Sequence, residues 1–269
     1  LPKKIKNKNL LNKQIQQIAK ELIKYDRPLI HLGRGAKISN CEKIFKKFIK
    51  KFNIPFVLTW NADDFIDTNH PMYFGKPGAF GSRGSNFIVQ NCDFYLSIGT
   101  RLPYMVTGYD VKGFAKNAKT RVMVDIDKKE LSKKDLNINI KVKSDAKYFL
   151  EKLFKYIKNF KKNSQWISYC KKTRNKYPIV LDSMVKQKKF VNSYYFVNSL
   201  SKVLNKKDII ITDNDNNIIC ELTKDNLSIK KRDSSNSFIV NETFSNISKK
   251  LIDLNKNILS LNKKYFDNK

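Results

Sequence analysis

The chain has 269 residues, which is enough for one large domain or two ordinary domains with a buried core. Its formal charge of +30 comes from 54 basic residues, of which 47 are Lys and only seven are Arg. Because proteins that read nucleic-acid bases depend on Arg for bidentate contacts, this composition favours lysine-rich solvated surfaces over nucleic-acid binding, with an anionic partner as the alternative.

The first 60 residues alternate between predicted helices and predicted strands. Apolar residues at helical spacing predict a helix over 8–25, and a buried strand over 28–32 runs into Gly33-Arg34-Gly35. A second helix separates this turn from a strand over 54–59. The glycine turn could present backbone N–H groups to a phosphate or be an ordinary tight turn, because Ile38 replaces the third glycine of a dinucleotide fingerprint.

After the second strand, glycine recurs at every third residue. Gly75, Gly78, Gly81 and Gly84 follow an Asp-rich loop whose spacing matches no metal-binding loop and indicates turns. Four glycines would each weaken a helix by about 1 kcal/mol relative to alanine, so the run is predicted to be an extended loop. Since ordering such a loop costs conformational entropy, we expect a flat or phosphorylated ligand against its backbone.

Three further predicted strands, over 93–98, 121–127 and 138–142, alternate with helices up to residue 160. This alternation predicts an α/β fold: an open parallel sheet of about six strands with helices on both faces, similar to a Rossmann fold. Ligands bind such sheets beyond the carboxyl ends of the strands. His31 lies inside the first strand, and we expect a core residue rather than a catalyst.

Two carboxylates end the fourth predicted strand. Asp125 and Asp127 are two residues apart and therefore start on one face of the strand. The sequence Asp127-Lys-Lys-Glu130 resembles a capping box, which gives Asp127 a structural role. Asp125 is therefore the better candidate for a ligand contact, and a paired-carboxylate site is the alternative.

The rest of the chain is predicted to be a linker and a partial second α/β domain. Residues 161–190 are rich in lysine and weakly periodic, so we expect a linker that packs against its neighbours. Within residues 191–269, the pattern predicts a helix over 196–204, a strand over 208–213, a turn and a further helix. The tail from Ser245 has apolar residues at alternating steps of four and three, which predicts a core-facing helix.

The spacing of the cysteines and the length of the apolar runs indicate the cellular compartment in which the chain is expected. Cys41, Cys92, Cys170 and Cys220 are far apart, without a C-x-x-C pair. This spacing indicates neither a zinc site nor a disulfide framework, and it fits reduced thiols in the cytoplasm. No apolar run approaches the roughly 20 residues of a membrane span. Because the chain begins with Leu1 rather than Met, we expect a fragment of a longer polypeptide.

A set of short motifs follows a fixed order between residues 27 and 127. The motifs are Arg27-Pro28 through Gly35, Ile54-Pro55, His70-Pro71, the glycine series up to Ser85-Asn86, Gly99-Thr100-Arg101, Val106-Thr107-Gly108, Phe114-Ala115 and Val124 through Asp127. Together they resemble the central domain of thiamine-diphosphate-dependent enzymes of the acetolactate-synthase type. The resemblance implies a central domain over 1–160, a linker over 161–190, and a truncated or degenerate C-terminal thiamine-diphosphate-binding domain over 191–269.

The resemblance also implies a binding site in the central domain. In some relatives this domain holds FAD in a non-redox role, and in others it holds ADP-like ligands or nothing. The residues that would line the site are Gly33, Gly35, Gly78, Gly81, Asn86, Gly99, Arg101, Asp125 and Asp127. Arg101 would pair with a phosphate and Asp125 would accept a hydrogen bond from a ribose hydroxyl. Tight turns in a ligand-free scaffold are the alternative.

The catalytic parts of that family have no counterpart in this chain. The resemblance implies thiamine diphosphate and Mg²⁺ as cofactors of the full-length enzyme. The family's amino-terminal domain, whose glutamate activates the cofactor, has no match here, and no glycine follows Gly113 to form the metal-binding turn. We therefore predict no catalytic and no metal-binding residue, and we expect the chain to be inactive alone.

The resemblance thus predicts a fragment of a carboligase or lyase that decarboxylates a 2-oxo acid and transfers the product to a second carbonyl. Its expected partners are the 2-oxo acid, through the full enzyme, and either further copies of the chain or a complementing subunit. The alternative is a non-catalytic nucleotide-binding scaffold or assembly subunit. Neither a membrane nor nucleic acid is an expected partner, and we expect the chain to be located in the cytoplasm.

Overall fold

A computed structural model describes residues 8–187 and 191–203, together with the backbone of three strands between residues 218 and 239. The chain divides into two compact units, Leu1–Ile179 and Val180–Lys269. None of the helices in the described part has both the length and the apolar character needed to span a membrane. All of the predicted site residues lie in the first unit.

The first unit alternates helices with parallel strands. In chain order its elements are α1 (Lys8–Leu22), β1 (Pro28–Leu32), α2 (Arg34–Ile38), α3 (Glu42–Phe52), β2 (Phe56–Leu58), a 3-10 helix (Trp60–Phe65), α4 (Arg83–Asn91), β3 (Phe94–Ile98), α5 (Tyr104–Thr107), β4 (Thr120–Asp125), α6 (Lys128–Leu131), β5 (Ile140–Lys143), α7 (Ala146–Tyr156) and α8 (Ser164–Lys176). The strands form one parallel sheet in the order β2-β1-β3-β4-β5. The predicted open parallel, Rossmann-like α/β fold is therefore confirmed.

Helices cover both faces of the sheet, as predicted. Every residue of the central strands β1 and β3 is buried, which explains their continuous apolar sequences. One core joins alternate strand residues such as Ile30 and Leu96 to α1, α3 and α7. The other core joins the residues between them, such as Leu29 and Tyr95, to α4 and α8.

Within residues 8–179 the sheet has five strands, and the prediction of about six is wrong. An extended segment, residues 72–75, occupies the position beyond β2. The Phe56 N–H donates to the Met72 carbonyl at 2.9 Å, and the Leu58 N–H donates to the Gly75 carbonyl at 3.1 Å. Phe56 and Tyr73 form one isolated bridge there. The segment thus covers the edge of the sheet, although its pairing is too short for a strand.

Residues 164–176, within the segment predicted to be a linker, form helix α8 against α4. Trp166 is buried, and its indole Nε1 donates a hydrogen bond to the Pro28 carbonyl at 2.9 Å. A Cβ added to Gly84 in α4 would lie 3.3 Å from the Thr173 carbonyl, so the two helices approach closely at this glycine. Helix α8 therefore completes one face of the first unit.

The second unit contains α9 (Asp182–Val185), α10 (Ser193–Val203) and a sheet of three antiparallel strands, β6 (Ile218–Leu222), β7 (Leu227–Lys231) and β8 (Ser237–Ile239). The bounds of helix α10 agree closely with those of the helix predicted over 196–204. The further helix predicted after the turn is wrong, because residues 218–222 pair with β7 as a strand, and their β-branched Ile218-Ile219 favours that pairing. The strand predicted over 208–213 and the helix from Ser245 lie outside the described residues.

Candidate functional site

The order of the strands reverses between β1 and β3 at the centre of the sheet. Strand β2 pairs with one edge of β1, and β3 pairs with the other. The turns after β1 and β3 contact each other directly: the Gly33 N–H donates to the Ile98 carbonyl at 3.0 Å, and the Gly35 N–H donates to the Gly99 carbonyl at 2.9 Å. Ligands of open parallel sheets bind beyond the carboxyl ends at such a switch point.

Close backbone packing requires glycine at this contact. A Cβ on Gly33 would lie 2.3 Å from the Gly99 carbonyl oxygen, and a Cβ on Gly35 would lie 2.9 Å from the Gly99 Cα. A Cβ on Gly99 would lie 2.5 Å from the Ala36 nitrogen, and Gly99 has a φ of +61°, a region that favours glycine. The packing of the two turns accounts for all three glycines, with or without a ligand.

A cleft of about 740 Å³ opens beyond the carboxyl ends of the five strands. Its volume lies within the range of roughly 300–1,000 Å³ that is usual for small-molecule sites. The structure brings together at this cleft the predicted residues Gly35, Gly99, Arg101, Asp125 and Asp127. The loops that follow β1, β3 and β4 therefore line one continuous cleft at this edge of the sheet.

Asp125 provides a buried carboxylate at this cleft. It is the last residue of β4 and is 9% exposed. Its Oδ1 accepts a hydrogen bond from the Asp127 backbone N–H at 2.8 Å. Burial raises the pKa of Asp125 above its ordinary value; the Asp127 N–H opposes this shift, and the negative charges of Glu130 and Asp127 add to it. A ligand hydroxyl that donates to this carboxylate would stabilise its ionised form.

Asp127 caps helix α6. Its Oδ1 accepts from the Lys129 N–H at 2.8 Å, which confirms the predicted capping role. The reciprocal half of the predicted capping box is wrong, because the Asp127 N–H donates to Asp125 rather than to Glu130. Glu130 instead forms an ion pair with Lys133, in which the Oε2–Nζ distance is 2.5 Å.

Arg101 lies at the rim of the cleft with its guanidinium largely in solvent. Its side chain is 79% exposed, and its Nε lies 3.9 Å from Glu130 Oε1. A pair at that distance between an exposed and a partly exposed group contributes little to stability. The guanidinium is therefore able to turn towards an anionic ligand at small energetic cost.

The predicted site residues Gly33, Gly78, Gly81 and Asn86 do not line the cleft, and the last three organise the chain from the glycine loop into α4. The Asn86 side chain accepts from the Gly78 N–H at 2.8 Å and donates to the Gly78 carbonyl at 3.0 Å. The Gly81 N–H donates to the Gly78 carbonyl at 3.1 Å, which closes a tight turn. The adjacent Ala79 N–H donates to the carbonyl of Met105, a residue that lines the cleft. These residues thus shape the wall of the cleft through the backbone.

Sequence reasoning did not identify several further residues that line the cleft. Arg34 follows β1, Trp60 and Asn61 follow β2, and Ser144 and Asp145 follow β5. Each comes directly after a predicted strand, so the rule that ligands bind beyond the carboxyl ends could have found them. Their chemistry adds a second arginine and a further carboxylate to the site.

His31 lies in the core, as predicted. It is fully buried, and its Nδ1 lies 2.6 Å from the hydroxyl of Tyr95 on β3. Burial lowers the pKa of His31 to about 3, so the side chain is neutral at physiological pH. A buried neutral imidazole bonded to a tyrosine has a structural role in the sheet.

Comparison with known proteins places these features in a family. Residues 15–153, which span from α1 to α7, match the family model described as thiamine pyrophosphate enzyme, central domain. The chain is 31% identical over 216 residues to a probable acetolactate synthase large subunit of Methanococcus aeolicus, covering 75% of this chain and 35% of that protein.

Two other relatives are also named as acetolactate synthase large subunits. The acetolactate synthase large subunit of Cyanidium caldarium is 28% identical over 200 residues, covering 72% of this chain and 33% of that protein. The acetolactate synthase large subunit of Lactococcus lactis is 29% identical over 182 residues, covering 68% of this chain and 31% of that protein. The chain thus spans about a third of the length of the curated relatives that it matches.

Proposed function

Because the chain belongs to the thiamine pyrophosphate enzyme family through its central domain, we propose that it is part of an acetolactate-synthase-like enzyme. That enzyme would decarboxylate a 2-oxo acid and join the product to a second carbonyl compound. The relatives are named as acetolactate synthase large subunits, which supports this reaction. The chain spans about a third of their length, which supports a part of such an enzyme rather than the whole. Its partners in that enzyme would be further copies of the chain or a complementing subunit.

The role assigned to the first unit is binding of an adenine nucleotide. The observation that carries this assignment is the cleft in which Asp125, at the end of β4, and Arg101, after β3, meet at one edge of the sheet. A ribose hydroxyl is suited to the buried acceptor on Asp125, and a diphosphate is suited to the planar fork of Arg101. FAD is the first candidate ligand and ADP is the second.

Thiamine diphosphate supplies the carbanion chemistry of this family when it is bound. Among the described residues, no group of three or more His, Cys, Asp or Glu side chains could hold a metal ion, and none of these residues is assigned to Mg²⁺. Mg²⁺ that bridges a diphosphate depends on protein carboxylates. No catalytic step is assigned to this part of the chain. We expect the chain alone to be inactive because its sequence offers no counterpart of the family's activating glutamate and no glycine after Gly113 for the metal-binding turn.

The nucleotide assignment is tested by ligand-dependent stability. At 100 times its dissociation constant, FAD or ADP should add about 2.7 kcal/mol to the free energy of unfolding. Asp125→Ala should reduce this increase more than Asp127→Ala, since Asp127 is occupied with capping α6. Thermal melts of the full chain with each nucleotide measure both effects. If neither nucleotide moves the midpoint at millimolar concentration, the assignment fails.

A non-catalytic nucleotide-binding scaffold is the second candidate function. The sequence favours it for this chain taken alone, because no glycine follows Gly113 to form the family's metal-binding turn. Calorimetric titration with thiamine diphosphate in the presence of Mg²⁺ tests this second candidate. Sub-micromolar binding would show that residues outside the described part provide a cofactor site, and the scaffold reading would then be wrong.

A further inference from the structure

The loop that carries Arg101 has an unusual backbone. Gly99 has a φ of +61°, and Leu102 has a φ of +47°. For a residue with a Cβ, such as Leu102, this left-handed conformation costs energy. The Leu102 side chain is nevertheless buried, at 3% exposure, so the conformation is fixed in the fold. Contacts from outside the loop must therefore compensate for this cost.

Lys133 provides such a contact. It lies just beyond α6, and its Nζ donates a hydrogen bond to the Arg101 carbonyl at 3.0 Å. The same Nζ lies 2.5 Å from Glu130 Oε2, one helical turn earlier in the chain. Lys133 thus connects α6 to the backbone of Arg101, while its charge is balanced by Glu130.

Glu130 lies between two cations at unequal distances. Lys133 is the closer, at 2.5 Å, and Arg101 is the more distant, at 3.9 Å. The Glu130 side chain is only 16% exposed, whereas that of Arg101 is 79% exposed. Because Lys133 is the closer partner of Glu130, the guanidinium of Arg101 remains available to another anion. Without Lys133, Glu130 would draw Arg101 towards itself and away from the cleft.

We propose that Lys133 and Glu130 are positioning residues that hold Arg101 ready for the phosphate groups of a nucleotide. This inference rests on the nucleotide-binding role given above and adds the residues that determine recognition of phosphate. The ribose contact is separate, because Asp125 is held by the Asp127 N–H and by β4 rather than by Lys133. Loss of Lys133 therefore affects ligands with phosphate and spares the nucleoside.

The test compares ADP with adenosine by calorimetry on the full 269-residue chain. In Lys133→Met, the dissociation constant for ADP should rise about tenfold, as expected for loss of a contact that involves charged groups, while that for adenosine stays within about twofold. Lys134→Met is the matched control, because Lys134 is an exposed neighbour, and it should change neither constant. Lys133→Arg should recover most of the affinity for ADP.

A double-mutant cycle shows whether Lys133 acts through Arg101. If it does, Lys133→Met should cause no further loss of ADP affinity in an Arg101→Met background. An equal loss of adenosine and ADP would indicate general damage to the cleft and overturn the inference, and so would an unchanged affinity for ADP. If the unsubstituted chain binds neither ADP nor FAD, the proposed function fails and this inference fails with it.

Discussion

His31 makes the pH dependence of stability a direct test of how the sheet is packed. Its Nδ1 lies 2.6 Å from the Tyr95 hydroxyl, and its Nε2 is buried without a hydrogen-bond partner in the part of the chain that the structure describes. Burial lowers the pKa of His31 to about 3, because protonation would place a charge in an apolar interior. The perturbation is acidification from pH 7 to pH 4.5, compared between the unsubstituted chain and His31→Gln.

The magnitude follows from the two pKa values. Unfolded histidine titrates near pH 6.5, whereas folded His31 titrates near 3. Because the folded pKa is depressed, stability is complete above pH 6.5 and falls as the pH decreases from 6.5 towards 3, where only the unfolded chain binds the proton. At 1.36 kcal/mol per pH unit, His31 should lower the free energy of unfolding by about 2.5 kcal/mol between pH 7 and pH 4.5.

Urea unfolding at pH 7, 6, 5 and 4.5 measures this effect. His31→Gln removes the titration and keeps a polar group near Tyr95, so its loss of stability over this range should be about 2.5 kcal/mol smaller. The carboxylates contribute equally to the pH dependence of both proteins, so their effect cancels when the unsubstituted chain is compared with His31→Gln. His70→Gln is the control, because His70 is the only other histidine and is only partly buried, and it should change the pH profile less. Identical profiles for the unsubstituted chain and His31→Gln would refute the reasoning.

Two further substitutions test the packing around the site. Gly99→Ala should lower the free energy of unfolding by about 2–4 kcal/mol, because its Cβ would meet a backbone nitrogen of α2 at 2.5 Å. Gly108→Ala is the control, because Gly108 has a φ of +70° and open space around it, so that this variant measures only the cost of the left-handed backbone. Equal urea midpoints for the two variants would contradict a steric clash at Gly99. Trp166→Ala should lower the free energy of unfolding by about 3–5 kcal/mol. Trp166→Phe loses mainly the hydrogen bond to Pro28 and should lower it clearly less in the same urea assay.

The parallel sheet could be predicted because buried strands have simple sequences. Strands β1 and β3 are buried on both faces, so their apolar runs are uninterrupted and are bounded by turn residues. Helix α8 was harder to recognise. Only Trp166, Ile167 and Cys170 form its apolar stripe, and lysines surround them. Its position depends on long-range contacts, such as that between Trp166 and Pro28, which no local pattern shows.

The site could be predicted only where it follows directly from the strands. Arg101 and Asp125 come just after or at the end of β3 and β4, and carboxyl ends of parallel strands share one edge. Lys133 could not be identified, because it is one of 47 lysines and its role depends on how the short helix α6 returns to the loop after β3. No local pattern in a single sequence shows that Lys133 contacts the loop after β3.

The glycines and the charged residues support a ligand to different degrees. Gly33, Gly35 and Gly99 are required by contact between two backbone turns, and this requirement exists before any ligand is considered. The case for a ligand therefore rests on Asp125 and Arg101. The first is a carboxylate whose pKa is raised by burial, and the second is a largely exposed guanidinium whose Nε lies 3.9 Å from Glu130 Oε1. A nucleotide would stabilise both groups, through its ribose and its phosphates respectively, which is why adenosine and ADP separate their contributions.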